Sequence, residues 1–172
     1  MPPIAAPHCQ HLSSRGFTGH ARAEVLHRFS ALTRVELLPP AHTAHPQAPD
    51  FAATVLPLGD GAVYAQTQHT PCRLLRSRAL VREDGADDVF LAAAGLGGAI
   101  RAQHGELELP AGRFALISKA RAHEGIRPWG GPSHCIQVPR AALARLVPGL
   151  EEAPMRLLPP DPDSGSAATS GC

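Results

Sequence analysis

Three arginines at even spacing, Arg76, Arg78 and Arg82 in "CRLLRSRALVRE", are the residues of this chain best suited to recognising a charged ligand. On an extended strand, residues two apart share a face. A guanidinium presents paired N–H donors that match a carboxylate or phosphate. Arg76 or Arg78 turned towards a hollow would therefore read an anion, whereas turned outward all three make a solvated edge. Tyr64 and Trp129, the single Tyr and the single Trp, each offer an apolar ring with a polar tip, which suits a pocket wall or a rim. With His123 they complete the set of candidate ligand contacts: Tyr64, Arg76, Arg78, His123 and Trp129.

Catalysis asks for more than this. A metal needs three or four donors converging at about 2.0–2.3 Å. The ten histidines do not cluster that way. His42 and His45 lie three apart in "PPAHTAHPQAPD" with no third ligand nearby. His69 in "TQHTPCRLLRSR" has neither a His-x-His partner nor a following Glu. Metal-binding barrels of the cupin class place a histidine just after a Pro-x-Gly turn. Here the turn is Pro110-Ala111-Gly112, and the position three beyond the glycine is Ala115. No metal and no cofactor are expected. Cys135 adjoins His134, but neighbours on a strand point to opposite faces, so Cys135 reads as a small core residue. There is no G-x-S-x-G elbow and no phosphate-binding loop. The remaining catalytic option is a metal-free isomerase or lyase using His104 or His123 with Glu124 as an acid/base pair.

The elements that must position these groups are short. "GHARAEVLHRFSALT" puts Val25, Phe29 and Leu32 on one helical face. "RVELL" reads as a strand ended by Pro39-Pro40. From Phe51 onward, apolar runs arrive every 8 to 12 residues with turn signals between them: "FAATVLPL", "AVYAQTQ", "CRLLRSRALVRE", "VFLAAAG", "AIRAQH", "ELELP", "RFALIS", "EGIRPW" and "HCIQVP". That rhythm belongs to a sandwich or barrel. At least one of Ala92, Ala93 and Ala94 must point inward and leave room there. "PRAALARLVPGL" changes period, with Pro139 in the first helical turn and Leu143, Leu146 and Val147 on one face. The divisions expected are a disordered start over 1–15, one domain over 16–158, and a disordered tail over 159–172.

The totals fit this picture. A chain of 172 residues with 44% hydrophobic content builds one domain, and 18 Pro with 16 Gly impose many turns. A net charge of +1 without any Lys/Arg run lacks the electrostatic footprint of a nucleic-acid binder. No apolar stretch is long enough to span a membrane, and no secretory signal is visible. A reduced, cytoplasmic protein is the expectation.

The order of segments resembles the N-terminal, cupin-like ligand-binding domain of AraC-family transcription regulators. The likeness runs from about Phe17 to Leu150. It rests on "RGFTGHARAEVLHRFSALTRVEL", "DFAATVLPLGDGAVYAQTQ", "LLRSRA", "VFLAAAGLGGAIRAQHGELELPAGRFALIS" and "IQVPRAALARLVPGL". Gln103, Gly105, Pro110, Gly112, Val138, Pro139, Arg140 and Leu143 fit the family's hairpin and the segment that opens its helix. The sequence departs from that pattern at Arg113, where the family usually has aspartate, and at His20, which stands in the region of a family Trp. "ARAHEG" replaces the usual segment after the buried strand. The resemblance implies a mainly β, antiparallel cupin-like barrel or jelly roll with an N-terminal and a C-terminal helix. It implies a sensor of a small-molecule effector rather than an enzyme, able to pair as a homodimer. The family continues into two helix-turn-helix units. Only 22 residues follow Leu150 here, four of them proline, so a truncated regulator without direct DNA binding is expected. The alternatives are the metal-free enzyme or a regulator that has lost its function.

Overall fold

The computed structural model describes residues 8–41, 48–146 and 155–160. In chain order its elements are β1 (Gln10–Ser13), α1 (Gly19–Thr33), β2 (Glu36–Leu38), β3 (Phe51–Gly59), β4 (Ala62–His69), β5 (Cys72–Arg76), α2 (Arg78–Asp84), β6 (Asp88–Ala94), β7 (Gly98–Ala102), β8 (Gly105–Leu109), β9 (Phe114–Ser118), β10 (His123–Arg127), β11 (Gly131–Pro139), α3 (Arg140–Ala144) and β12 (Met155–Leu157). The strands form two antiparallel sheets. One has the order β1-β3-β4-β11-β6-β9-β12 and the other β2-β5-β10-β7-β8. The fold is mainly β and of the jelly-roll kind expected. Among the described residues no ladder joins the two sheets, so they face each other as layers rather than closing into a barrel.

Alternation decides what each strand buries. On the larger sheet Phe51, Ala53 and Val55 of β3 stand in register with His69, Thr67 and Ala65 of β4. The same face continues through Ser133 and Cys135 of β11 to Ala94 and Ala92 of β6. On the smaller sheet Cys72, Leu74 and Arg76 of β5 oppose Arg127, Gly125 and His123 of β10, and Gly125 in turn opposes Ile100 of β7. One core cluster joins Phe90, Ala92, Ala94, Ile100, Leu109, Ala115 and Ile117. A second lies under α1, whose Phe29 packs against Phe51 with ring centroids 4.9 Å apart, and includes Leu12, Leu37, Ala53 and Cys72. The expected helix face is the observed one: Val25 and Leu32 flank Phe29 in that cluster.

Three expectations change. "CRLLRSRALVRE" is not one strand: β5 stops at Arg76 and α2 follows. The Ser77 hydroxyl accepts the Leu80 N–H at 3.2 Å and Gly85 ends the helix in the left-handed region, so a side-chain cap and a glycine stop outweigh the alternation of arginines. Arg78 and Arg82 are therefore helical and share no strand face with Arg76. Within the expected disordered start, Gln10–Ser13 is β1, paired with β3. α3 is short: Leu143 packs beside Val89 and Leu116 on the outer face, but Leu146 is exposed. His42, His45, Val147 and residues 161–172 lie outside the described residues.

Candidate functional site

Between the sheets lies a cavity of about 90 Å3. The larger sheet supplies Ala65, Ala92, Ala93 and Cys135, the smaller sheet Leu74, Ile100 and Gly125, and Phe29 of α1 closes one side. The space exists because small residues meet on facing positions. Ala92, Ala65 and Cys135 stand side by side in register across three strands, and Gly125 has no side chain to offer from the other layer. Of the three consecutive alanines, Ala92 and Ala93 border the hollow.

Its polar groups come from three strands. Thr67 and Ser133 are register partners, and Ser133 donates its hydroxyl to Nε2 of His69 at 3.0 Å. His69 Nδ1 faces the carbonyl of Thr70 at 3.1 Å. A carbonyl only accepts, so Nδ1 carries the proton. Burial holds His69 below the usual imidazole range, and the ring is neutral. Cys72 Sγ lies 3.3 Å from the same Nδ1, which looks like a Cys–His couple. It is not an activated one: the nitrogen facing the sulfur holds its proton, and burial pushes the Cys72 thiol up to about 12. Cys135 is raised to about 12 for the same reason. Both remain thiols at neutral pH and neither is a nucleophile in this setting.

Arg127 is the charged group of the cavity wall. It is 3% exposed. Its Nη1 donates to the carbonyls of Ala99 and Ile126 at 3.3 and 3.1 Å, and its buried Nε has no partner. The guanidinium lies over the bare Cα of Gly125: a Cβ there would meet Nη1, Nη2 and Cζ at 3.4, 3.5 and 3.6 Å.

Of the residues singled out from the sequence, Arg76, Arg78 and His123 border one open cleft beside α2, whereas Tyr64 and Trp129 stand apart from it. His123 borders the cavity, donates Nδ1–H to the Arg121 carbonyl at 3.0 Å and meets the Phe90 ring edge-on at 6.0 Å. Burial lowers its pKa to about 4. Arg76 also points inward, but its donors are used. Nε donates to the Lys119 carbonyl at 2.6 Å, and Nη1 and Nη2 grip both oxygens of Asp84. Arg78 is exposed at the start of α2. Tyr64 sits on the opposite face of β4, its hydroxyl 2.9 Å from Nδ1 of His134. Trp129 is 72% exposed on a turn. The acid/base pair is not assembled either. Glu124 alternates away from His123 and pairs with Arg73 at 2.8 Å, and His104 is exposed on the turn between β7 and β8. Among the described residues no three His, Cys, Asp or Glu side chains gather where a metal could be held.

Arg127 was missed, although the signal was present. Placing His123 inward on "HEGIR" places Gly125 and Arg127 inward too.

This geometry has a relative among solved structures. The AraC-like transcriptional activator CuxR superposes with a TM-score of 0.68 over 84% of this chain and 52% of its own, at 18% identity. The likeness is one of fold. This chain spans about half the length of that activator. Ectoine synthase from P. lautus (TM-score 0.40, 16% identity, 70% of this chain and 84% of that one) and a cupin 2 conserved barrel domain protein from Rhodopseudomonas palustris (0.38, 13%, 71% and 91%) are also similar. Both of these likenesses are too loose to carry an argument. No protein-family model and no curated protein matches the chain.

Proposed function

We propose that this chain is the ligand-sensing module of an AraC-like regulator, which takes up a small-molecule effector between its two sheets and does no chemistry on it. The observation that carries this is the cavity itself, a hollow kept open by Ala65, Ala92, Cys135 and Gly125 on facing layers. A protein with no use for the space would fill it, since voids of this kind forfeit packing energy. The likeness in fold to a transcriptional activator supports a regulatory role. The two thiols held protonated and the separation of Glu124 from His123 speak against turnover. In this role the effector biases how neighbouring parts of a regulator are presented, through its differential affinity for two arrangements. A second copy of the chain is the other proposed partner. Contact with DNA is not part of the role, given a net charge of +1. A reduced, cytoplasmic setting suits the free Cys9, Cys72 and Cys135.

Thermal unfolding in the presence of a panel of small apolar alcohols, amides and carboxylates tests the reading. At least one class should stabilise the protein by about 1–2 kcal/mol at excess ligand. Ala92→Ile, which fills the hollow from the larger sheet, should abolish that gain. A panel without effect, or a gain that survives Ala92→Ile, would refute the assignment.

A further inference from the structure

Two arginines of the smaller sheet point into the fold, and the chain treats them differently. Arg76 receives a carboxylate, Asp84, on two of its nitrogens. Arg127 receives none. Two backbone carbonyls hold Nη1, Nε is buried without a partner, and among the described residues Nη2 has no hydrogen bond. The titratable groups that share its field include the thiols of Cys72 and Cys135 and the imidazole of His69, none of which carries a negative charge at neutral pH. A guanidinium does not lose its proton in a protein, so a full positive charge stands unbalanced at the wall of an apolar hollow. Left so, such a charge costs several kcal/mol, and folds do not keep that arrangement for stability.

The chemistry of the space around it narrows what would balance the charge. Nε and Nη2 lie on one edge of the planar group, the edge that grips a carboxylate through two parallel bonds. The carbonyls of Ala99 and Ile126 fix the other side and set the orientation of that edge. Nε is covered in the present rotamer, so the first contact falls to Nη2 and the second follows a small turn of the side chain. Most of the remaining lining is apolar, with Leu74, Phe90, Ala92, Ile100 and Ile117 among it, and its polar side chains, Thr67, Ser133 and His123 among them, are uncharged. An engineered apolar cavity of about 150 Å3 holds a benzene ring, so a hollow of about 90 Å3 has room for an aliphatic tail of about three or four carbons, with a head group at the guanidinium on its wall. A strongly hydrated ion such as phosphate has no tail to lie against the apolar part of this lining and would give up its water without covering it.

We propose that the cavity recognises a short-chain or branched aliphatic monocarboxylate, whose head group pairs with Arg127 and whose tail lies against the alanines of the larger sheet. This rests on the sensing role above and names the class of effector.

The test uses the full chain and titration calorimetry with acetate, butyrate and isovalerate, each beside its primary amide, in buffers with and without chloride. The branched and four-carbon acids should bind at least tenfold more tightly than their amides, and chloride should compete weakly. Arg127→Met should erase the preference for acid over amide while leaving the amides' affinity in place. In the absence of ligand Arg127→Met should unfold at the same temperature as the parent or higher, an effect opposite to that of losing a structural arginine. Should Arg127→Met fail to fold, Gly125→Val supplies the second test. It keeps the arginine but occupies the space beside the guanidinium, and should also erase the acid preference. Equal affinity for acids and amides would overturn the carboxylate assignment while leaving the cavity a binding site. Chloride matching the acids would overturn it in favour of an inorganic ion. Absence of binding by acids and amides alike would remove both this inference and the sensing role.

Discussion

Arg76 and Asp84 face each other through two parallel contacts of 3.0 and 2.7 Å, with no solvent reaching the arginine. The pair ties the end of β5 to the last turn of α2. Arg76 adds the carbonyls of Arg34 and Lys119 to its partners, so three separate segments meet on one guanidinium. Asp84→Asn removes the charge and leaves the arginine buried without it. The expected loss is about 3–5 kcal/mol, read by urea unfolding at pH 7. An altered ligand affinity with unchanged stability would refute the structural role given to this pair.

The same pair has an acid signature. The hydrogen bond from Arg76, ahead of the other influences, holds the Asp84 carboxyl down to about 2. A depressed carboxyl stabilises the fold above its unfolded pKa, and that share is lost as pH falls from about 4 towards 2. The share is about 2 kcal/mol. Unfolding free energies measured at intervals from pH 5 to pH 2 should show it, and Asp84→Asn should flatten that limb.

His123 acts at milder pH. Burial lowers it from 6.5 to about 4, so the unfolded chain takes up a proton in this window and the folded one does not. Stability is complete above about pH 6.5 and declines as pH falls to about 4, by about 3 kcal/mol. His123→Gln should remove much of the slope between these limits. A slope that persists in full would assign it to other groups, with His69, also lowered by burial, the first to examine by the same substitution.

Gly98 anchors the strand beside Arg127. A Cβ at this position would stand 2.2 Å from the Ile126 carbonyl oxygen, the oxygen that accepts from Arg127. Gly98→Ala must push β7 away from β10, and the expected cost exceeds about 2 kcal/mol. It should also weaken any preference for acids over amides, because the clamp on Nη1 is displaced.

Trp129 supplies a control. It is exposed on its turn, so its fluorescence should already show the long-wavelength emission of a hydrated indole and should not shift when the cavity is filled. Trp129→Phe should leave stability within about 0.5 kcal/mol and ligand affinity unchanged.

Much of the architecture can be read from local signals. The nine-residue β3 and the Val25–Phe29–Leu32 helix face stand where alternation and spacing put them. Where the reading failed, a second local signal competed. The even spacing of Arg76, Arg78 and Arg82 looked like one strand face, yet Ser77 caps a helix between them and Gly85 ends it. The site was harder for a different reason. Tyr64 and Trp129 were attractive as the rarest rings in the chain, but scarcity says nothing about which face of a sheet a residue occupies. Only pairing across strands shows that Ala65, Ala92 and Cys135 line up opposite Gly125, because these positions are far apart in sequence. Arg127 lay within reach through alternation from His123. What the sequence could not show is the lack of an acidic partner, which depends on every neighbour in three dimensions.

The alanine wall has a consequence for how such a module diversifies. On the larger sheet the volume of the hollow is set by Cβ atoms on rigid strands. Exchanging Ala92 or Ala65 for glycine, valine or isoleucine would change the fit by one or a few methyl groups, each worth about 0.8 kcal/mol of burial, without disturbing a hydrogen bond of the ladder. Under the sensing role proposed above, descendants of one scaffold would step along a homologous series of guests by single codon changes.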